Sequence, residues 1–185
     1  MIETGRLILR QWREADKAPF AALNADPAVM EFMPARLTRE QSDAMIGRFT
    51  TMLEIKGMTF YALEEVASGE LIGAAGLFPV GQLPFAPAVE IGWRLRRQSW
   101  GGGYASEAAR AALAEGFGPL GLEEIVAYTA APNLRSQRVM ERIGMIRDAD
   151  GDFDHPALPE GSPLRRHVLY RLSRHRWAAE RRDPA

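Results

Sequence analysis

Arg97-Gln98-Ser99-Trp100-Gly101-Gly102-Gly103-Tyr104-Ala105-Ser106-Glu107 constrains the fold more than any other stretch of this chain. An alternating apolar run, Val89 to Leu95, leads into it, and an alanine-rich pattern, Ala105 to Phe117, leads out. Alternation reads as a strand and 3.6-residue spacing as a helix, so the segment is strand, basic glycine loop, helix. Consecutive glycines let backbone approach a bound group closely. The first N–H groups of a helix lack intrahelical acceptors and sit at the positive end of its dipole. A loop of this kind is built to bind an anion such as phosphate.

Three readings of the loop compete. On the glycines alone, a plain turn into a helix stays open. A dinucleotide-binding turn fits poorly. Ser106 stands where its third small residue belongs, and Glu123 and Glu124 fall at the start of the next strand rather than its end. A Walker loop is excluded, because no Gly-Lys-Ser/Thr follows. The third reading adds the residues around the glycines. Arg96, Arg97 and Gln98 place donors at the entrance, and Ala105, Ala108, Ala109 and Ala112 let the helix lie close to the sheet. That set suits a pyrophosphate whose long arm runs along the sheet.

Side chains alternate faces along a strand. Val89, Ile91, Trp93 and Leu95 make a core face; Glu90, Gly92 and Arg94 share the other. Glu90 is then a carboxylate beside a residue without a side chain, with room for a substrate. A solvated or ion-paired strand carboxylate is the plainer reading. The chemistry that would use it is amine acylation. An amine of pKa about 8–10 must lose a proton to attack, and a neighbouring carboxylate can accept it directly or through water. Asn133 and Ser136 fit the N-cap and N3 positions of a later helix, either as caps alone or facing the arm of a cofactor.

Elsewhere the pattern predicts strands at 6–12, 58–63, 71–78, 88–96, 124–130 and 165–172, with another beginning at Met145. Helices are expected at 16–25, briefly at 28–33, at 39–56, 105–117 and 133–142. Thr38 and Gln41 form a capping box for the third of these, and Gly57 closes it. Asp148 to Pro163 reads as a solvated polar loop, or an acidic lip that attracts a cationic amine, without the register of an EF-hand. The order gives an α+β fold with a mixed sheet and helices on both faces. A single domain is expected over 1–173, with a basic tail at 174–185.

A formal net charge of -1 offers no general attraction to nucleic acid or a membrane surface. The absence of cysteine excludes disulfides, thiolate zinc sites and a cysteine nucleophile. His155 and His167 lack a metal-ligand pattern, so no metal is expected. With neither an apolar signal core nor a run of transmembrane length, the expected location is the cytoplasm.

Arg97/Gln98-Ser99-Trp100-Gly101-Gly102-Gly103 resembles the Arg/Gln-x-x-Gly-x-Gly/Ala motif of the GNAT superfamily of N-acetyltransferases. Ser99 to Ala108, Asn133 to Met145 and Glu3 to Arg10 are similar to its ribosomal-protein N-terminal (alanine/serine) acetyltransferase group. The resemblance implies a mostly antiparallel sheet of about seven strands, splayed to admit acetyl-CoA. It implies that backbone at Trp93, Arg94 and Leu95 pairs with the pantetheine amides. Arg97, Gln98, Gly101, Gly102, Gly103, Tyr104 and Ala105 would hold the pyrophosphate, and Asn133, Ser136 and Arg138 would also contact the cofactor. Glu90 matches the general base. Met140 stands where many members carry a proton-donating tyrosine, so Ser136 is the implied acid. Met30, Phe32 and Met33 look like the short helix that walls the acceptor pocket, and equally like core residues. The implied reaction is direct transfer from acetyl-CoA to a primary amine, on a protein or peptide N-terminus or on a small molecule such as an antibiotic, polyamine or amino acid. A non-catalytic acyl-CoA-binding module is the rival class. A homodimer is compatible with the resemblance.

Overall fold

The computed structural model describes residues 1–182; residues 183–185, the end of the expected basic tail, lie outside the described residues. The strands are β1 (Ile2–Glu3), β2 (Leu7–Arg10), β3 (Phe60–Glu65), β4 (Leu71–Val80), β5 (Ala88–Leu95), β6 (Glu124–Ala130), β7 (Ile146–Asp154) and β8 (Arg166–Ser173). The helices are α1 (Lys17–Ala25), α2 (Arg39–Lys56), α3 (Tyr104–Phe117), α4 (Leu134–Arg142) and α5 (Arg174–Arg182). One sheet takes the order β1-β2-β3-β4-β5-β6-β8-β7. Every neighbouring pair is antiparallel except β5–β6, which is parallel. The α+β class therefore holds, and the short β1 makes eight strands of the expected seven.

Local chemistry explains most element ends. The Gln41 N–H donates to Thr38 Oγ1 at 3.2 Å, and the Thr38 N–H donates to Gln41 Oε1 at 2.9 Å, so both orphan donors at the start of α2 are satisfied. Gly57 ends α2 at φ 68°, a conformation that costs glycine nothing. One sheet face packs on α1 and α2 through Phe20, Leu23, Ile46, Phe49 and Ala74. The other packs on α3 and α4 through Leu77, Ile91, Ala109, Ala112, Leu113, Ile125 and Met140. Ala108, Ala109 and Ala112 are fully buried. A Cβ at Gly116 would come within 2.6 Å of Ile125, so α3 lies as close to the sheet as its small residues permit.

Two expectations change. Residues 28–33 form turns rather than a helix, and of the two readings of Met30 the structure gives the core. The acidic segment 148–154 makes up most of β7 and is not a solvated loop. Three of its four aspartates, Asp148, Asp152 and Asp154, pair with arginines of β7 and β8. Asp148 pairs with Arg171 at 2.6 Å, and Asp152 pairs with Arg147 and accepts the Leu169 N–H at 3.2 Å.

Candidate active site

β5 and β6 share a single register point, Glu90 opposite Val126. Beyond it β5 stays paired with β4 and β6 with β8, and a cleft opens between them. The cleft ends at the glycine loop on one side and the start of α4 on the other. Arg135 spans that end. Its guanidinium lies 4.6 Å from the Trp100 ring centroid and 5.4 Å from that of Phe32, and it pairs with Glu31 at 2.5 Å.

The loop itself is shaped for an anion. Gly101 and Gly103 adopt φ of 80° and 81°, and Gly103 is the N-cap of α3 without any side-chain cap. The Glu107 N–H bonds to Gly103 O at 3.1 Å as the helix begins. The Ser106 hydroxyl in this first turn is buried and has no partner. Glu107, the one acid in that turn, would oppose an incoming phosphate. Arg6 neutralises it at 2.6 Å and also donates to Gly102 O at 2.8 Å. The Tyr104 hydroxyl donates to Glu65 and ties down the far side of the turn. These donors and this charge balance fit a pyrophosphate. Arg97 and Gln98 are exposed at the loop entrance, and Ala105 packs into the core beneath it. An open depression of about 610 Å³ borders the loop, lined by Gly103, Ser106 and Glu107 with Arg6, Arg110 and Arg142.

Strand parity places the remaining residues. Trp93 and Leu95 turn toward α3, while Glu90, Gly92 and Arg94 turn toward α1 and α2. The room expected beside Gly92 is taken: a Cβ there would meet the Phe60 ring at 2.9 Å. Phe60 is held over Gly92 by stacking on Phe78, centroids 5.5 Å apart. Asn133 caps α4. Its Oδ1 accepts the Ser136 N–H at 3.3 Å, and its Nδ2 donates to Thr129 Oγ1 at 2.9 Å and Ser136 Oγ at 3.1 Å. Ser136 Oγ is thus an acceptor, with its own proton free to point elsewhere. Arg138 is exposed on α4, with no ion pair among the described residues. Met140 is buried in the core, away from any proton transfer.

Glu90 is the most perturbed carboxylate of the cleft. Burial pushes its pKa up to about 7, opposed by a hydrogen bond from the Tyr128 hydroxyl. Tyr128 had no role in the sequence reading. It shares a face of β6 with Val126, the partner of Glu90, and sits among Phe85, Phe153 and His167 at ring-centroid distances of 5.5, 5.9 and 6.1 Å. Burial and the neighbouring carboxylate push its own pKa up, so it stays protonated and donates. The phenol thus favours the ionised form of the carboxylate. Removing it in Tyr128→Phe is expected to raise the Glu90 pKa by about one unit, the worth of one charge-assisted hydrogen bond. The midpoint of the pH profile of kcat/KM should move up accordingly; an unmoved midpoint contradicts the contact. His155 and His167 stack at 5.0 Å, and burial lowers both pKa values. Among the described residues no three metal-ligating side chains gather in one place, and no helix is long and apolar enough to cross a membrane.

Known proteins share this fold. The family model described as acetyltransferase (GNAT) domain matches residues 6–146. YkkB of Bacillus subtilis, an uncharacterised protein, is 33% identical over 143 residues, covering 77% of this chain and 83% of its own. A GNAT-family acetyltransferase from Bacillus anthracis superposes with a TM-score of 0.78 at 27% identity, covering 94% of this chain and 98% of that one. Two more distant structures share the fold. A ribosomal-protein-S5-alanine acetyltransferase from Vibrio fischeri gives TM-score 0.75 at 16% identity over 95% of this chain and 97% of that one. A spermidine N-acetyltransferase from Vibrio cholerae, in complex with CoA and spermine, gives 0.73 at 17% identity over 95% and 99%.

Proposed function

The chain belongs to the GNAT acetyltransferase family, whose co-substrate is acetyl-CoA, and from that premise we propose that it acetylates a primary amine held against Glu90. The observation that carries the reading is the position of Glu90: a carboxylate of pKa about 7 at the last register point before the cleft opens. Acetyl-CoA supplies the activated acetyl group. The glycine loop and the start of α3 hold its pyrophosphate, and backbone along Trp93 to Leu95 holds its amide arm. Glu90, ionised near neutral pH, accepts the proton that the attacking amine loses. Tyr128 favours the ionised form of that carboxylate. Ser136, at the far side of the cleft, carries a hydroxyl whose proton is free to be donated to the departing thiolate. A thiol of pKa about 8.5 is a tolerable leaving group, so the call on an acid is modest.

The fold leaves the acceptor open, since the two distant neighbours are named for a protein N-terminal alanine and for a polyamine. The test is release of free CoA from acetyl-CoA across a broad panel of amines, including peptides with N-terminal alanine and serine. Turnover with at least one class of primary amine is expected. Tight acetyl-CoA binding with no amine acetylated would leave an acyl-CoA-binding module instead.

A further inference from the structure

Arg94 is a desolvated cation without an anion. Its side chain leaves β5 on the same face as Glu90 and enters the layer formed by α1, α2 and the turns at 28–33. There Nη1 donates to Asn24 Oδ1 at 2.6 Å and touches Met45 Sδ at 3.9 Å, while Nη2 touches Met33 Sδ at 3.8 Å. No carboxylate lies within ion-pair distance among the described residues. Asn24 is fully buried, and its Nδ2 donates to Ser42 Oγ at 2.9 Å, which fixes its carbonyl toward Arg94. Burial without a counter-charge pulls the Arg94 pKa down to about 10.

Arg10 shows what a structural buried arginine looks like in the same protein. It is held by Asp16 at 2.7 Å and Glu64 at 2.6 Å, and its pKa is raised. A buried charge without such partners is costly and persists where something outside the chain completes it. A guanidinium carries five donors, of which a single amide oxygen and two thioethers use little. The unused donors form a fork that matches a carboxylate. The Nη2 edge borders Met33, which is 36% exposed, so that edge stays reachable. Glu90 and Arg94 lie four residues apart on one strand face, about 13 Å between Cα atoms. Between them Phe60 covers Gly92, so an acceptor that reached both would lie across that ring.

We propose that Arg94 anchors a carboxylate on the acceptor, so that the amine presented to Glu90 belongs to an amino-acid-like molecule rather than a polyamine. This rests on the acetyltransferase reading. An unpaired cation beside the acceptor repels a polycation and attracts a zwitterion.

The test uses the full chain and matched pairs of amines, α- and ω-amino acids each with its carboxamide, together with spermidine. CoA release gives kcat/KM. Calorimetry of protein plus CoA measures binding of the corresponding N-acetyl amino acids and N-acetyl carboxamides. The expected result is a carboxylate preference of about tenfold or more, the worth of one charged hydrogen-bond pair, that disappears in Arg94→Gln while acetyl-CoA still binds. If the glutamine variant does not fold, Arg94→Lys, which keeps the charge but loses the fork, is expected to weaken the preference. Equal kcat/KM within every pair, a preference that survives either folded variant, or spermidine as the best acceptor overturns the proposal and leaves acetyl transfer standing. If no amine is acetylated, acetyl transfer fails and calorimetry alone decides: tighter binding of the carboxylates supports the anchor, and equal or undetectable binding overturns it.

Discussion

Glu90→Gln is expected to lower kcat by about 10²–10⁴-fold, the usual worth of a positioned general base, while acetyl-CoA binding is retained. In the wild type, kcat/KM should rise with pH through about 7 as Glu90 ionises, then level off. The glutamine variant should lose that limb of the profile. Glutamine keeps the size of the side chain and can still accept from Tyr128, so the loss reports the missing base rather than a rearranged site. The same carboxyl makes a second, independent prediction. Its folded pKa lies above the ordinary 4.5, so between pH 4.5 and about 7 the folded state holds more proton than the unfolded chain. Stability contributed by the protonated form is complete below pH 4.5 and is lost as pH rises through 7. The stability of Glu90→Gln relative to wild type should therefore rise across that window, by at most about 3 kcal/mol. Thermal melts at pH 5 and pH 8 check it. A turnover loss of less than about tenfold, or an unaltered pH limb, removes Glu90 from the base role.

Gly76→Ala is expected to give the largest loss of stability. Gly76 lies in β4 between Phe60 of β3 and Gly92 of β5, at φ 153°. A Cβ there would sit 2.0 Å from Thr59 O and 3.0 Å from Thr59 C. Thr59 cannot retreat: its carbonyl accepts the Leu77 N–H at 3.0 Å, and its hydroxyl donates to Phe49 O at 2.7 Å. Backbone strain and overpacking together should cost about 4 kcal/mol. That is a large share of the roughly 5–15 kcal/mol that holds a domain together. A fall in Tm of roughly 10 °C is expected. A melt within about 2 °C of wild type would mean that β3 and β4 can part without penalty.

How far the fold could be read from the chain depended on how local the cause was. The α2 helix is legible because Thr38, Gln41 and Gly57 carry its ends in their own side chains and backbone. The glycine loop and α3 are legible for the same reason, since left-handed glycines and small helix residues act within a few positions. β7 was not. Asp148, Asp152 and Asp154 look like a solvated loop until Arg147, Arg165, Arg166 and Arg171 are known to lie beside them. The site divides in the same way. Glu90 could be singled out as a candidate from alternation before an anion loop. Tyr128 was not, because its contact requires β6 to lie parallel to β5, a pairing between segments joined through a whole helix. The space beside Gly92 was misread because the ring that fills it, Phe60, arrives from another strand. Arg94 could be assigned a face from parity, but its want of a counter-ion appears only once α1 and α2 are packed over it.

An ordinary open sheet has two edges, and this one has four. Where β5 and β6 part, each strand turns a row of backbone N–H and C=O groups toward the gap. Exposed rows of that kind template the addition of foreign strands. On the proposed reading, the amide arm of acetyl-CoA takes the place of a strand there and satisfies part of both rows. Colloidal behaviour and cofactor supply are then linked: ligand bound only by the folded state stabilises it by RT ln(1 + [L]/Kd). The cofactor-free protein is therefore expected to self-associate sooner on storage than protein kept with CoA, which light scattering checks.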